Sequence, residues 1–321
     1  MAVYTQVSDE DLKVFLERYD VGGFTKKTPI AEGVENTNYR VETERGFFIL
    51  TLFEKRTNEA DLPFFMALTG HLAAKGLPAP APIKTKSREV LGVLAGRPAV
   101  LIEFLPGRPV MEPRAVHCSA VGATLAGLHD AVSDFRSNRT NTLSIAEWRN
   151  IADACRASAD TCAAGLAVLI DDELTFLAAN WPAGLPQGVV HADLFPDNVL
   201  FKDNAITGVI DFYFSCTEFF AYDIAIVINS WCFDKHGKLA QENARALITA
   251  YLETRAFTQS EIDAFSIFLR ASALRFLLTR LYDWLNQSEG AIVTVKNPLE
   301  YRAILEFHRN SYSPLFYGFN K

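Results

Sequence analysis

The segment VVHADLFPDNVLF, residues 189–201, places a histidine, two aspartates and an asparagine in an otherwise apolar stretch. His191, Asp193 and Asn198 follow the spacing H-x-D-x-x-x-x-N, and Asp211 comes later in VIDF. Burying such groups is costly unless they are paired or bind a metal ion. Amide and carboxylate oxygens suit Mg²⁺, which usually combines one or two carboxylates with phosphate oxygens, and a further aspartate can deprotonate a hydroxyl. The pattern therefore favours a phosphoryl-transfer site.

The connection between Asn198 and Asp211 predicts a β-hairpin. Two strand-like runs flank the polar turn Lys202-Asp203-Asn204 in the segment VLFKDNAITGVID. Because a hairpin returns the chain beside its starting point, we expect Asn198 and Asp211 to lie close together. An isolated H-x-D is equally compatible with a buried turn whose polar groups are hydrogen-bonded. The complete spacing, followed by an apolar-apolar-Asp-Phe run, favours phosphoryl transfer.

The N-terminal third of the chain predicts five strands and one inserted helix. Ser8 begins an S-x-x-D capping pattern with Asp11, which opens a short amphipathic helix. A longer helix, roughly residues 59–75, follows the third strand-like run and precedes a Pro-rich connector. The strand-like runs are residues 24–33, 37–43, 46–54, 89–96 and 98–105.

Beyond about Pro106 the sequence changes from strand-like to helical periodicity. The change predicts a hinge at residues 104–106, between a lobe of residues 1–104 and a larger lobe of residues 105–321. The predicted helices of the second lobe are residues 114–132, 144–170, 172–181, 221–231, 239–255, 260–285 and 298–310. The fold class is α+β, with a five-stranded antiparallel sheet and one helix in the first lobe and a mainly helical second lobe.

Composition limits the classes of function. The chain has 321 residues, of which 49% are hydrophobic and 21% charged, so it has ample material for a core and does not resemble a disordered protein. A net charge of −7 disfavours nucleic-acid and anionic-membrane partners. Five cysteines without a C-x-x-C pair disfavour a zinc site or a disulfide framework. Since neither a signal peptide nor an apolar run of membrane-spanning length is visible, we expect a soluble cytoplasmic protein whose oligomeric state is open.

The segments HADLFPDNVLF and VIDF resemble the aminoglycoside-phosphotransferase and choline-kinase branch of the protein-kinase-like superfamily, where H-G-D-x-x-x-x-N is typical and Ala192 replaces the glycine. Further segments, ENTNYRVET, GFFILTLFEKR, LIEFLPGR and ALRFLLTRLYDW, resemble the homoserine kinases built on this fold. The resemblance extends over about residues 8–310. It implies a two-lobed protein-kinase-like fold and ATP-dependent phosphorylation of the side-chain hydroxyl of L-homoserine, a step of threonine biosynthesis.

The resemblance also implies roles for individual residues. Asp193 corresponds to the catalytic base that orients the substrate hydroxyl, and His191 orders the loop through hydrogen bonds. Asn198 and Asp211 correspond to the Mg²⁺ ligands. Asp223, in AYDIAIVI, matches a buried aspartate that braces the catalytic loop, although a helix N-cap is an equally compatible interpretation.

The first lobe is expected to bind the nucleotide. The turn at Gly33 and the residues Asn36, Thr37 and Asn38 are candidates for donating hydrogen bonds to phosphate oxygens, and the backbone from Glu103 to Leu105 is a candidate for pairing with adenine. Protein kinases carry a phosphate-binding lysine on the third strand. The matching position here is Thr51, with Lys55 and Arg40 as possible substitutes. The residue that replaces this lysine stays unassigned.

Homoserine is a zwitterion, so its site needs a partner for the carboxylate, and arginine is the natural choice. Arg275 and Arg280 lie on an apolar helix about 140° apart, so at most one is expected to face a pocket, and we favour Arg275. Tyr213 is a candidate wall residue. Fold alone does not exclude an aminoglycoside, choline or methylthioribose kinase, and Thr51 leaves open a non-catalytic nucleotide-binding module.

Overall fold

The structure is a computed structural model, and it describes residues 4–30, 36–54, 57–287 and 295–319. The chain divides into two compact units. The N-terminal unit comprises residues 1–107 and 207–213, and the C-terminal unit comprises residues 108–206 and 214–321. The sequence did not indicate that residues 207–213 group with the N-terminal residues, and the roles assigned to residues 1–104 and 105–321 stay predictions. Within the described residues, no helix is both long enough and apolar enough to span a membrane.

The N-terminal unit begins with a helix whose start the sequence encodes. Helix α1 (Asp9–Leu16) has Ser8 as its N-cap, and the Ser8 hydroxyl accepts a hydrogen bond from the Asp11 N–H at 3.0 Å. This is the predicted capping pattern, which satisfies one of the free N–H groups of the first turn. The other elements are β1 (Phe24–Ile30), β2 (Thr37–Thr43), β3 (Gly46–Leu52), α2 (Leu62–Ala74), β4 (Leu91–Leu94) and β5 (Arg97–Glu103).

In the described part of this unit the strands form one five-stranded sheet in the order β1-β2-β3-β5-β4, with every neighbouring pair antiparallel. One face of the sheet packs on α1 through buried side chains such as Val41 and Leu50. Because side chains alternate along a strand, Asn38 and Thr51, which are register partners, belong to the opposite face. The predicted sheet with one inserted helix is confirmed.

The C-terminal unit is mainly helical, as predicted. Its helices are α3 (Ala115–Ala131), α4 (Ile145–Cys162), α5 (Leu166–Asn180), α6 (Phe220–Trp231), α7 (Gln241–Leu252), α8 (Gln259–Leu285) and α9 (Pro298–Asn310). Strands β6 (Gln187–Val190) and β9 (Cys216–Phe219) form an antiparallel pair. Between them in sequence, β7 (Val199–Lys202) and β8 (Ala205–Val209) form the predicted hairpin around Asp203, which adopts a left-handed φ of 58°. Residues 207–209 of β8 already belong to the segment that is grouped with the N-terminal unit.

Two details of the prediction for this unit differ from the structure. The predicted break between residues 170 and 172 is wrong, because α5 runs unbroken from Leu166 to Asn180. The break lies instead at Gly165, whose φ of 74° ends the Ala-rich connection from α4. The pairing of β6 with β9 was not predicted, since strands of four residues carry little periodicity.

Candidate active site

The polar segment found in the sequence is a loop, residues 191–198, between β6 and β7. It starts directly after Val190, which is 2% exposed, and ends in a short 3₁₀ turn, Pro196–Asn198, before Val199, which is 0% exposed. The apolar residues on both sides therefore anchor the loop in the core. We call residues 191–198 the 191–198 loop.

Asp223, in the first turn of α6, holds the beginning of the 191–198 loop. Its two carboxylate oxygens accept hydrogen bonds from the backbone N–H groups of His191 and Ala192, at 3.1 and 2.8 Å. The side chain is 0% exposed, and Phe219 occupies the N-cap position of α6. Asp223 thus serves the loop, as the bracing interpretation expects, and does not occupy the N-cap of its own helix.

Two other side chains hold carbonyl groups of the same loop. Arg275 Nη1, in α8, donates to the Ala192 carbonyl at 2.6 Å, and Trp231 Nε1, at the end of α6, donates to the Leu194 carbonyl at 2.8 Å. Both side chains are 2% exposed. Since a loop lacks the hydrogen bonds of a strand, its buried backbone groups need such partners.

The loop brings the predicted chemistry together locally. Asn198 Nδ2 donates to the Asp193 carbonyl at 2.8 Å and to Asp193 Oδ2 at 3.3 Å. The Asp193 N–H donates to His191 Nδ1 at 3.3 Å, and the ordering role of His191 stays a prediction that this contact supports. Asp193 is half-buried and Asn198 is 9% exposed. The carboxylate is therefore held in a defined orientation by the neighbouring amide.

Two residues near the expected chemistry adopt a backbone conformation that non-glycine residues rarely use. Ala192 has a φ of 63° and Asp211 has a φ of 64°. The left-handed region costs about 1–2 kcal/mol for an L-residue, so the surrounding contacts must hold it in place. Ala192 stands where the resembling family has glycine, and its conformation explains why glycine suits that position.

The predicted metal ligands are chemically suited to Mg²⁺. The Asn198 amide nitrogen is used on Asp193, so the amide oxygen is the atom that Asn198 can offer to a cation. Asp211, half-buried after β8, would add a carboxylate. No group of three or more His, Cys, Asp or Glu arranged to hold a metal occurs in the part of the chain that is described. An amide with one carboxylate is a typical Mg²⁺ set when phosphate oxygens complete it.

The sequence did not reveal His129, a buried residue of α3 that supports Asp223. His129 Nε2 lies 3.0 Å from Asp223 Oδ2. Burial lowers the pKa of His129, so its ring is neutral at pH 7 and its Nε2–H donates. Burial alone would raise the pKa of Asp223, but hydrogen bonds from His129 and from the Ala192 N–H lower it, so the carboxylate stays ionised. The only signal in the sequence was a histidine on the apolar face of a helix.

In the N-terminal unit, the candidate phosphate-binding residues divide by how their side chains are used. The Thr37 hydroxyl donates to Glu54 Oε1 at 2.8 Å and accepts from the Thr5 N–H at 3.1 Å. Asn36 Oδ1 accepts from the Glu54 N–H at 3.2 Å and from the Thr57 hydroxyl at 3.1 Å. These hydrogen bonds fix the start of β2 next to the end of β3. The Thr37 hydroxyl and the Asn36 amide oxygen therefore stabilise the sheet.

Asn38 and Thr51 form a neutral pair at the position of the usual lysine. The Thr51 hydroxyl donates to Asn38 Oδ1 at 2.7 Å, and Thr51 is 1% exposed. This contact uses the amide oxygen of Asn38, so Nδ2 is the side-chain donor that Asn38 can offer. Arg40 is exposed, and its guanidinium lies 5.5 Å from the ring centroid of Phe47. Gly33 and Lys55 lie outside the described residues.

The remaining candidates have the following surroundings. Glu103 ends β5, and its N–H donates to the Ala81 carbonyl at 2.9 Å, so its own carbonyl is the group it can offer to adenine. Leu105 follows the strand and is half-buried. Tyr213 packs edge-on against Phe53, with ring centroids 5.3 Å apart, and burial raises its pKa. Arg275 has one N–H on a loop carbonyl, and its role toward a substrate stays a prediction.

Sequence comparisons place the chain among phosphotransferases. A model of the phosphotransferase enzyme family matches residues 27–257. A homoserine kinase of Xanthobacter autotrophicus is 51% identical over 318 residues, which are 99% of this chain and 99% of that protein. A homoserine kinase of Beijerinckia indica is 52% identical and covers 96% of each chain. These relatives match almost the whole length of the chain.

Solved structures with the same fold are more distant in sequence. An amicoumacin kinase in complex with AMP-PNP and Ca²⁺ has a TM-score of 0.67 at 16% identity, covering 94% of this chain and 92% of that one. A choline kinase of Cryptosporidium parvum has a TM-score of 0.64 at 18% identity, covering 88% of each chain. At these identities the likeness concerns the fold, and it confirms the predicted protein-kinase-like α+β class.

Proposed function

Since the chain belongs to the phosphotransferase enzyme family and, within it, to the homoserine kinases, we propose that it transfers the γ-phosphoryl group of ATP to the side-chain hydroxyl of L-homoserine. The products are O-phospho-L-homoserine and ADP. The observation that supports phosphoryl transfer is the 191–198 loop, in which Asn198 holds the Asp193 carboxylate and buried side chains hold the backbone on both sides. Homoserine as the acceptor is supported by the relatives that are 51% and 52% identical. A cytoplasmic location for this reaction stays a prediction.

In the proposed mechanism Asp193 accepts a hydrogen bond from the homoserine hydroxyl and takes its proton as the phosphoryl group is transferred. Phosphoryl transfer depends mainly on positioning and charge stabilisation, so the fixed orientation of Asp193 is the main contribution of the loop. Asn198 and Asp211 would hold Mg²⁺ through their side-chain oxygens. When bound, Mg²⁺ neutralises the charge of the phosphate oxygens.

On the nucleotide side we propose that Asn38 is a side-chain donor to the phosphates. Its oxygen is occupied by the Thr51 hydroxyl, which supports a donor role for its nitrogen. Gly33, Asn36 and Thr37 would contribute backbone groups next to it. The backbone of Glu103 and Leu105 would pair with adenine.

For the acceptor we propose Arg275 and Tyr213. A guanidinium has five N–H donors, so Arg275 could hold the Ala192 carbonyl and a substrate carboxylate at the same time. Tyr213, which is partly buried, would form an aromatic wall. The prediction for Arg275 is a large rise in KM for homoserine in Arg275→Lys.

The function is tested by measuring ADP release from purified protein with Mg·ATP and, separately, homoserine, choline, methylthioribose and kanamycin. We expect turnover with homoserine and none above background with the other three. Turnover restricted to another acceptor would reject the homoserine assignment while keeping a kinase.

The role of Asp193 is tested by Asp193→Asn, with Asp197→Asn as the matched control. General-base catalysis contributes about 10²–10⁴-fold, so Asp193→Asn should lose at least that factor in kcat and keep nucleotide binding. Asp197 lies in the same loop, but it is exposed and pairs with Lys296 at 3.0 Å, so its variant should keep near-normal kcat. Near-normal kcat in Asp193→Asn would refute the assignment of the base.

A further inference from the structure

Hydrogen bonds continue beyond Asp223 through side chains that reach the start of α8. His129 Nδ1 lies 2.8 Å from the Tyr251 hydroxyl, which accepts a hydrogen bond from Arg255 Nη1 at 3.3 Å. Arg255 Nη2 donates to Glu261 Oε1 at 2.8 Å, and Glu261 Oε2 accepts from the N-cap N–H of α8 at 2.9 Å. We call Asp223, His129, Tyr251, Arg255 and Glu261 the Asp223 network.

The network has one consistent direction of donation. Since the ionised Asp223 can only accept, His129 Nε2 must carry the proton, and Nδ1 is left as an acceptor. Tyr251 then donates to Nδ1, and its oxygen accepts from Arg255, which has donors only. Every donor along this path meets an acceptor, so the tautomer of His129 is fixed from both sides.

The groups that face His129 come from three helices. Asp223 lies on α6, Tyr251 on α7 with Arg255 just beyond it, and Glu261 on α8. Tyr251 and Glu261 are 0% exposed, and the Arg255 side chain is 16% exposed. A positive guanidinium and a hydroxyl donor on this side both favour the neutral ring. Protonation of His129 would reverse the donor at Nδ1 and disturb its contact with Tyr251.

We propose that Tyr251 and Arg255 are positioning residues for phosphoryl transfer, acting on the 191–198 loop through His129 and Asp223. The hydrogen bonds of these two residues reach His129 and Glu261. They fix a neutral His129, which fixes the Asp223 carboxylate, and that carboxylate holds the N–H groups that precede Asp193. The kinetic test of this inference rests on the proposed function. A second test measures the loop backbone directly and does not depend on that function.

The kinetic test compares Tyr251→Phe with Tyr317→Phe. Tyr317 is a matched control because its hydroxyl lies 3.1 Å from Nδ1 of the buried His308, and both tyrosines are 0% exposed. We expect Tyr251→Phe to lower kcat roughly fivefold, the effect of one lost hydrogen bond, with each KM changed less than twofold. The acid limb of its kcat profile should move to higher pH, because the neutral ring has lost a donor. Tyr317→Phe should leave kcat and the profile unchanged.

The independent test measures amide hydrogen exchange in peptides covering residues 189–195. Exchange at His191 and Ala192 should be faster in Tyr251→Phe than in Tyr317→Phe, whether or not homoserine is the acceptor. Arg255→Met, which keeps the apolar stem, should show the same changes at a smaller size and provides the test if Tyr251→Phe does not fold. In a His129→Gln background, which keeps a donor for Asp223, Tyr251→Phe should add no further loss of kcat.

The outcomes separate the two proposals. Absence of homoserine turnover in the unsubstituted protein would reject the proposed function. Faster amide exchange at His191 and Ala192 in Tyr251→Phe, but not in Tyr317→Phe, would still support the positioning role. Equal effects of Tyr251→Phe and Tyr317→Phe on kcat and on exchange would overturn it. An additive loss in the His129→Gln background would overturn it as well, because Tyr251 would then act by another route.

Discussion

Two buried histidines of the C-terminal unit are bound to tyrosines in the same way, yet their networks end on different groups. His308 Nδ1 lies 3.1 Å from the Tyr317 hydroxyl, and its Nε2 lies 2.7 Å from Asn229 Oδ1. Asn229 Nδ2 then donates to the Leu269 carbonyl at 2.9 Å and to Ser272 Oγ at 2.6 Å. The His308 network is therefore formed by neutral groups and joins helices. The Asp223 network instead includes an ionised carboxylate that binds backbone N–H groups of the 191–198 loop.

The difference shows what a buried charge contributes at this place. Helices satisfy their own backbone groups, so a neutral network between them adds only local stability. The 191–198 loop has no such ladder, and two of its N–H groups depend on Asp223. Hydrogen bonds to a carboxylate are roughly twice as strong as neutral ones, which makes Asp223 suited to hold irregular backbone. We therefore expect substitutions in the Asp223 network to lower activity and substitutions in the His308 network to lower stability alone.

The largest contrast is expected between Asp223→Asn and Asn229→Ala. The first replaces a carboxylate oxygen by an NH₂ group that faces N–H donors, so we expect a loss of about 3 kcal/mol in the free energy of unfolding. It should also lower kcat at least tenfold, because the base is displaced. Asn229→Ala should lose about 2 kcal/mol by leaving buried partners unsatisfied, with kcat within twofold. Urea unfolding and steady-state kinetics provide both quantities, and equal losses of kcat would contradict the contrast.

The acid sensitivity of stability should depend on His308 as well as on His129. Burial lowers the pKa of His308 to about 3, whereas an unfolded histidine titrates near about 6.5. The stability is thus complete above the unfolded pKa and is lost as pH falls toward the folded pKa, because only the unfolded chain takes up the proton. His308→Gln should flatten the fall by about 1.4 kcal/mol per pH unit between those values. The free energy of unfolding would be measured from pH 7 to 5 for the unsubstituted protein and for His308→Gln. An equal fall in both proteins would exclude this contribution.

A smaller contrast is expected between two tryptophans whose indoles hold a carbonyl. Trp231 Nε1 donates to Leu194 in the loop, and Trp148 Nε1 donates to Leu143, each at 2.8 Å. Trp231→Phe leaves the buried Leu194 carbonyl without its donor, and Trp148→Phe leaves the partly buried Leu143 carbonyl without its donor, each at a cost of about 1–3 kcal/mol. Trp231→Phe should also reduce kcat roughly threefold, while Trp148→Phe should not. Thermal melts and kcat values would be measured for both variants. An equal loss of kcat in Trp148→Phe would show that the effect on activity does not depend on the contact with the loop.

Local features of the fold and the site were predictable from the sequence. Ser8 caps α1 through a contact three residues away, and Asn198 meets Asp193 five residues away. The register of β2 and β3 follows from their short connection, which places Thr51 opposite Asn38. In each case the partners are close along the chain, so spacing and turn length determine the contact.

The support of the loop was harder to predict, because its partners are distant in sequence. His129 and Asp223 are 94 residues apart, and Arg275 and the Ala192 carbonyl are 83 residues apart. The apolar surroundings of Arg275 showed that it needs a buried partner. They could not show that one partner is a backbone carbonyl, since that depends on how α8 packs beside the loop.

The smallest contrast concerns the backbone itself, through Ala192→Gly and Ala273→Gly. Ala192 has a left-handed φ of 63°, where glycine relieves about 1 kcal/mol of strain, but glycine also increases the entropy of the unfolded chain by nearly as much. The free energy of unfolding should therefore change by less than about 0.5 kcal/mol, with kcat within twofold. Ala273 lies in α8 beside the His308 network, where glycine has no strain to relieve and should cost about 1 kcal/mol. If both variants were destabilised equally, the left-handed conformation of Ala192 would carry no strain that glycine relieves, and alanine at this position would stabilise the protein relative to glycine.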